Sequence, residues 1–240
     1  MKQGDITRAI LLSAGLGTRL RPLTLTTPKP LLPLDGALLI DHQLRYLAKA
    51  GFCEVAINLH HLGEKIREHV EDGARFGVKV RYSEEPEILG TGGGIKKAAA
   101  SFGSDHFVVL NADALMDADI RQVAKRHFDA KAAATMVVKE LSGTDSYNPV
   151  SVDQGGMIDG FGKGRHFYTG LQILGPEMLA ALPPAGEEAC LVNDGYKKLM
   201  KDGQRIAAFV YRGYFNDLGT PERYEQAKRD AASGTFRVLI

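Results

Sequence analysis

Residues 12–23 read Leu-Ser-Ala-Gly-Leu-Gly-Thr-Arg-Leu-Arg-Pro-Leu: an apolar run gives way to a glycine-containing turn and then to two arginines. Glycines let the main chain approach a phosphate closely and aim N–H groups at it. Arg8, Arg19, Arg21 and Lys29 all fall between Asp5 and Asp35, an interval with no acidic residue. A carboxylate there would compete for the cations, so the stretch suits an anion. Two other phosphate loops do not fit. A dinucleotide fingerprint needs a third glycine, and here Leu20 stands in its place and Pro22 follows early. A Walker A loop needs G-x-x-x-x-G-K-[ST], which is absent. Taken alone, the loop is equally a surface turn with solvated arginines.

A second segment adds weight. Thr27-Pro28-Lys29-Pro30-Leu31-Leu32-Pro33 sets one lysine between two prolines. Proline fixes its own φ and biases the preceding residue toward an extended backbone. Lys29 is therefore expected to be extended and rigidly presented, which suits a bound phosphate better than open solvent.

These residues need elements to position them. Apolar runs predict strands over 7–13, 54–59, 78–82, 107–110 and 132–138, and helical spacing predicts helices over 38–50, 63–71, 94–100 and 119–128. Such β/α alternation predicts a Rossmann-like, mostly parallel sheet with helices on both faces. After residue 139 the pattern changes to short strands over 150–152, 157–161 and 167–174, read as a small antiparallel patch. Helices over 176–181 and 194–202, a strand over 206–211 and a helix from Pro221 to Ala232 follow. No repeat or linker interrupts 1–240, so one domain is expected.

Composition narrows the function classes. Lys and Arg number 30 against 29 Asp and Glu, which argues against a nucleic-acid platform with its basic excess. No apolar run approaches about 18 residues, so no membrane span is expected. The run 9–12 is too short for a secretory signal, and a cytoplasmic protein is expected. Cys53 and Cys190 form no metal motif and are expected to be ordinary buried thiols. His60 and His61 are adjacent, point to opposite sides of a strand, and are read as ordinary polar residues rather than ligands of one ion.

Together, Gly15-Leu16-Gly17-Thr18-Arg19-Leu20-Arg21-Pro22-Leu23-Thr24 and Pro28-Lys29-Pro30-Leu31 closely resemble the signature of the sugar-1-phosphate nucleotidyltransferases. The resemblance continues through Leu89-Gly90-Thr91-Gly92-Gly93, Asn111-Ala112-Asp113, Tyr168-Thr169-Gly170 and Phe215-Asn216-Asp217-Leu218-Gly219-Thr220-Pro221, in the expected order. It is to the short members without a C-terminal β-helix, and most to the N-acetylmuramate-1-phosphate uridylyltransferases of cell-wall recycling. Guanylyltransferases for mannose or heptose 1-phosphate are close competitors. A non-catalytic nucleotide-sugar sensor on the same fold is the reading from another class.

The resemblance implies a nucleotidyltransferase (GT-A-like) fold and a reaction of an NTP with a sugar 1-phosphate to give an NDP-sugar and pyrophosphate. It implies that Arg19, Lys29 and Asp113 are catalytic, and that Ala14, Gly15, Gly17, Thr18, Arg19, Gly90 and Gly92 bind nucleotide. Gly90–Gly94 is expected to be a loop beside the base or sugar. Asn111, Asn148, Lys163, Thr169 and Gly170 are implied to bind sugar. Asp113 and Asp217 are implied to hold Mg²⁺, which takes one or two carboxylates plus phosphate oxygens. From the residues alone, Asp113 is also a helix cap and Asp217 a turn residue. Among Glu84, Glu85 and Glu87, any one is a candidate for a sugar or base contact. A Glu-Lys-Pro of longer relatives is replaced here by Gly162-Lys163-Gly164. The expected partners are the two substrates alone, with the chain a monomer or small homo-oligomer.

Overall fold

The computed structural model describes residues 6–103, 105–143 and 146–236. In chain order the elements are β1 (Arg8–Leu12), β2 (Pro33–Leu34), β3 (Ala37–Leu38), α1 (Leu39–Lys49), β4 (Glu54–Leu59), α2 (Gly63–Val70), β5 (Lys79–Glu84) and α3 (Gly90–Ala99). There follow β6 (Phe107–Asn111), β7 (Leu115–Met116), α4 (Ile120–Asp129), β8 (Ala134–Glu140), β9 (Pro149–Val152), β10 (Ile158–Phe161) and β11 (His166–Leu174). The remainder is α5 (Pro176–Ala181), a π-helical turn (Leu191–Tyr196), α6 (Lys197–Lys201), β12 (Ile206–Val210), β13 (Phe215–Asn216) and α7 (Pro221–Ala232).

Strands β5, β4, β1 and β6 lie side by side and parallel. β11 runs antiparallel between β6 and β8, and β12 closes that edge parallel to β8. The hairpin β9–β10 joins the first residues of β11. This is the mostly parallel sheet, with an antiparallel patch, that the alternation predicts. From β1 the chain moves outward through β4 to β5, then returns to place β6 on the other side of β1. Open α/β sheets bind ligands at such a reversal, beyond the carboxyl ends of the strands. Register puts Leu12 opposite both Asn58 and Asn111, so three strand ends meet in one row there.

The central strands are apolar because both faces are covered. Ala9 and Leu11 face a core with Ile40, Leu44 and Leu47 of α1 and Ile66 of α2. Ile10 faces the other core, with Ile95 and Ala98 of α3 and Tyr196 of the π turn. A third cluster joins Leu20, Leu32, Leu34 and Leu39 to Leu218, Tyr224 and Ala227, and so docks the 18–34 segment on α7. Caps set the helix limits: Asp119 accepts from the Arg121 N–H at 2.9 Å, and Thr220 Oγ1 from that of Arg223 at 3.4 Å.

Several expectations are corrected. Cys53 and Cys190 are free and exposed, not buried. The helix expected over 194–202 is a π turn followed by only five α-helical residues. Lys29 is not extended: it opens a 3₁₀ turn (Lys29–Leu31) in which the Leu31 N–H reaches Pro28 O at 2.8 Å. The extended residue is Pro28 itself (ψ 143°). Among the described residues no helix is long and apolar enough to cross a membrane.

One polar group inside this core carries a pH signature. His127 is fully buried, its Nδ1 2.9 Å from Thr135 Oγ1 and its Nε2 2.9 Å from His106 Nδ1. Burial, reinforced by His106, lowers its pKa from 6.5 to about 4. A depressed folded-state pKa gives stability that is full above 6.5 and is lost as pH falls toward 4. The loss from this group amounts to about 3 kcal/mol at most. Chemical unfolding from pH 7 to pH 4 will show a steeper decline for the wild type than for His127→Gln. Parallel curves would refute the assignment.

Candidate active site

The row of strand ends opens into a cavity of about 500 Å³, lined by 13–20, Lys29, Asn58, Glu85, Ile88, Gly90, Thr91, 111–113 and Gly219. Its first wall is the loop after β1. Gly17 adopts a left-handed backbone (φ 62°), and a Cβ there would stand 2.9 Å from Thr24 Cγ2. Thr24 in turn donates to Gly17 O at 2.8 Å, so the turn is held from behind. Gly15 is different: no heavy atom lies within 4 Å of where its Cβ would be. The cavity therefore reaches the Gly15 main chain unobstructed. Ala14, Gly15, Gly17, Thr18 and Arg19 all line it.

Lys29 projects into the cavity from its turn. Its side chain is 11% exposed, and its Nζ lies 2.5 Å from Asp113 Oδ2 and 3.4 Å from the main-chain oxygen of Asp217. Residues distant in sequence thus meet at one ammonium. The Asp217 carboxylate accepts from Arg223 Nη1 at 2.6 Å and from the Gly219 N–H at 3.2 Å. Gly219 is close-packed for a reason: a Cβ there would lie 2.9 Å from Arg19 Nη2. Arg19 thereby touches the same 217–219 segment that carries Asp217.

The opposite wall rests on a buried amide–carboxylate relay. Asn58 Oδ1 accepts from the Ser13 N–H at 2.7 Å, and its Nδ2 donates to Glu85 Oε1 at 2.8 Å. Glu85 Oε2 accepts from the Leu89 N–H at 3.1 Å, and the Glu85 carbonyl meets His60 Nδ1 at 2.7 Å. Of the three neighbouring glutamates, Glu85 is the buried one, at 3% exposure. Asn58 was not singled out by sequence reasoning; its place at a strand end beside β1 is visible only once the strands are paired. His60 and His61 meet separate carbonyls, those of Glu85 and Thr24, and share nothing.

Gly90–Gly94 is corrected from a loop to the first turn of α3. Gly90 and Thr91 line the cavity, whereas Gly92 donates to Ala189 O at 2.9 Å on the far side. A Cβ on Gly93 would stand 2.3 Å from Glu187 O, and one on Gly94 2.6 Å from Glu85 Oε1. Glycine at 93 and 94 lets main chains and the relay approach.

The sugar-side residues are divided. Asn111 lines the cavity, and Gly170 (φ 93°) backs it, its Cβ position 3.0 Å from Asn111 Nδ2. Thr169 turns inward and donates to Val137 O at 2.9 Å. Asn148 is exposed and Lys163 lies against Gly160 on an exposed turn; neither lines the cavity. Tyr168 has a buried hydroxyl without a hydrogen-bond partner among the described residues. Burial, with Tyr196 and Asp113 nearby, raises its pKa well above the usual phenol range.

A divalent cation is the group this arrangement invites. Among the described residues no three or more His, Cys, Asp or Glu side chains cluster as ligands. Asp113 and Asp217 supply hard carboxylate oxygens and are partly exposed, at 31% and 19%. Asp113 lines the cavity, whereas Asp217 does not and turns its carboxylate to Arg223; a set of one or two carboxylates is what Mg²⁺ takes, leaving most of its positions to phosphate and water.

Comparison with known proteins agrees with this geometry. Residues 8–234 match the family model described as Nucleotidyl transferase. A UTP–glucose-1-phosphate uridylyltransferase from Synechocystis is 34% identical over 94% of the chain, which spans 63% of that relative's length. A D-glycero-alpha-D-manno-heptose 1-phosphate guanylyltransferase from Aneurinibacillus thermoaerophilus is 30% identical over 92% of the chain and 97% of its own. Among solved structures, a putative glucose-1-phosphate thymidylyltransferase from Bacillus anthracis superposes with a TM-score of 0.83 at 20% identity, covering 97% and 98% of the two chains. That last likeness establishes the shared fold. A reversed strand order, a glycine-containing loop at the reversal and a family match across residues 8–234 place this chain in the nucleotidyl transferase family.

Proposed function

We propose that the chain joins a nucleoside triphosphate to a sugar 1-phosphate, giving a nucleoside diphosphate sugar and pyrophosphate. The observation that carries this is Lys29 facing Asp113 and the Asp217 main chain, in a cavity lined by the 13–20 loop. An oxygen of the sugar phosphate attacks the α-phosphorus in line. One P–O bond forms as the bond to the β-phosphate bridge breaks, and pyrophosphate leaves. The nucleophile is already anionic, so no general base is required. Bringing two polyanions together is the barrier, and the protein answers it by positioning and charge neutralisation.

In this reading Arg19 grips the outer phosphates with its planar fork, assisted by the main chain of 15–18. Lys29 neutralises the reacting phosphate. Asp113 and Asp217 hold Mg²⁺, which when bound supplies charge neutralisation at the phosphate oxygens. Asn111, backed by Gly170, faces the sugar; Asn148 and Lys163 stand outside the cavity lining, on exposed turns from which they would meet the sugar's outer groups. All four of Arg19, Lys29, Asp113 and Asp217 are present, which favours an enzyme over a non-catalytic sensor.

For the substrates we propose UTP and N-acetylmuramate 1-phosphate, on the strength of the Leu89–Gly93 segment and the missing Glu-Lys-Pro. GTP with heptose or mannose 1-phosphate is the second reading, favoured by guanylyltransferase relatives matched over nearly their whole length. We place the enzyme in the cytoplasm, in cell-wall recycling, with no nucleic-acid or membrane partner.

Pyrophosphate release from UTP, GTP, CTP and ATP against N-acetylmuramate, glucose, mannose and heptose 1-phosphates tests both layers. The fastest rate is expected for UTP with N-acetylmuramate 1-phosphate. A fastest rate with GTP overturns the substrate choice. No release with any pair overturns the reaction.

A further inference from the structure

Arg223 lies outside the cavity, yet it touches both Asp217 and Tyr147. It is the third residue of α7, and its backbone is fixed: the N–H bonds Thr220 Oγ1 at 3.4 Å and the carbonyl accepts from Asn216 Nδ2 at 3.0 Å. Its guanidinium reaches back to Asp217, with Nη1 2.6 Å from Oδ1. The same guanidinium lies with Cζ 4.6 Å from the centroid of the Tyr147 ring. Tyr147 is stacked on Phe167 of β11, with centroids 4.1 Å apart and planes 10° from parallel. Phe215, two residues before Asp217, packs against both rings at 6.1 and 5.4 Å.

A planar cation is thus held by its edge to a carboxylate and by its face to an aromatic ring. Arginine alone among the cationic side chains satisfies both at once. Tyr147 immediately precedes Asn148, so the ring belongs to the segment assigned above to the sugar. Displacing that segment moves the ring, the ring moves the guanidinium, and the guanidinium moves the Asp217 carboxylate.

We propose that Arg223 is a positioning residue that couples sugar-phosphate binding at the 146–148 segment to the placement of Asp217, with Tyr147 as the intermediate contact. This rests on Asp217 being a metal ligand and on the sugar lying near Asn148. By linkage, the sugar phosphate then tightens metal binding and the metal tightens sugar-phosphate binding by one and the same factor. Arg223 touches neither substrate and acts only through its neighbours.

The test is a Mn²⁺ titration, followed by electron paramagnetic resonance, of protein saturated with an NTP analogue carrying a methylene between the α and β phosphates. It is run with and without the sugar 1-phosphate that turns over fastest. In the wild type, the sugar phosphate is expected to tighten Mn²⁺ binding by roughly five- to tenfold. Arg223→Met and Tyr147→Leu lose that factor, and Tyr147→Phe, which keeps the ring, retains it. In steady state the first two variants raise the KM for sugar 1-phosphate and leave the KM for NTP unchanged. Tyr147 lies on a different element from α7, so a folding defect in the Arg223 variant does not protect the proposal. Full coupling in Tyr147→Leu, or Mn²⁺ uptake without coupling in the wild type, overturns it. No Mn²⁺ uptake by the wild type under any condition overturns the metal reading and the coupling with it.

Discussion

Lys29→Ala will lower kcat by roughly a hundred- to a thousandfold, the cost of removing one preorganised charge from a developing anion. The side chain is unusually well held for a lysine. Its backbone is locked between Pro28 and Pro30, and its ammonium is fixed between Asp113 and the carbonyl of Asp217. Little entropy is lost when a phosphate arrives, because little freedom was left. Lys29→Arg will not restore the rate: a fork is wider than an ammonium and cannot sit between the same two oxygens. Thermal unfolding should change little, since a partly exposed ion pair is worth about 1 kcal/mol or less. Pyrophosphate release and a melting curve on the same preparation separate the two effects. An unchanged kcat would make the Pro-Lys-Pro lysine a scaffold residue only.

Asp113→Ala is expected to abolish pyrophosphate release, by more than about a thousandfold, with the fold intact. Asp113 follows β6 at the strand-order reversal, and its carboxylate is one of two candidate ligands for the metal. With so few protein ligands, one loss removes half of the protein's hold on the ion. The variant also leaves Lys29 without its counter-charge, so phosphate binding need not weaken while turnover collapses. The KM for NTP within about threefold of wild type, with kcat lost, is the expected pattern for a group that acts mainly in the transition state. Near-normal turnover would refute the metal assignment.

The strands and helices that carry the site were readable because their signals are local. The apolar run of β1 and the spacing of Leu39, Ile40, Leu44 and Leu47 in α1 declare themselves within a dozen residues. Gly90–Gly94 misled because glycine disfavours helices, yet contacts with 187–191 and Glu85 need side-chain-free backbone there, and packing overrides propensity. Lys29 misled because proline's effect on the residue before it is a bias, and the 3₁₀ hydrogen bonds of 28–32 outweigh it. The two-residue strands β2, β3, β7 and β13 have too little pattern to be seen. The link from Asn58 to Glu85 spans 27 residues and Arg223 meets the Tyr147 ring from another element, contacts that no short window along the chain contains.

The contact between Arg19 and Gly219, with Lys29 reaching Asp217 and Leu20 packing on α7, has a temporal corollary. The phosphate loop is synthesised early, and its counterparts emerge some 200 residues later. During translation the nascent polypeptide can therefore complete its large sheet, which ends with β12, before those counterparts exist. The cavity's wall at Gly219 is added last, when the segment from Asn216 through α7 packs against Lys29 and Leu20.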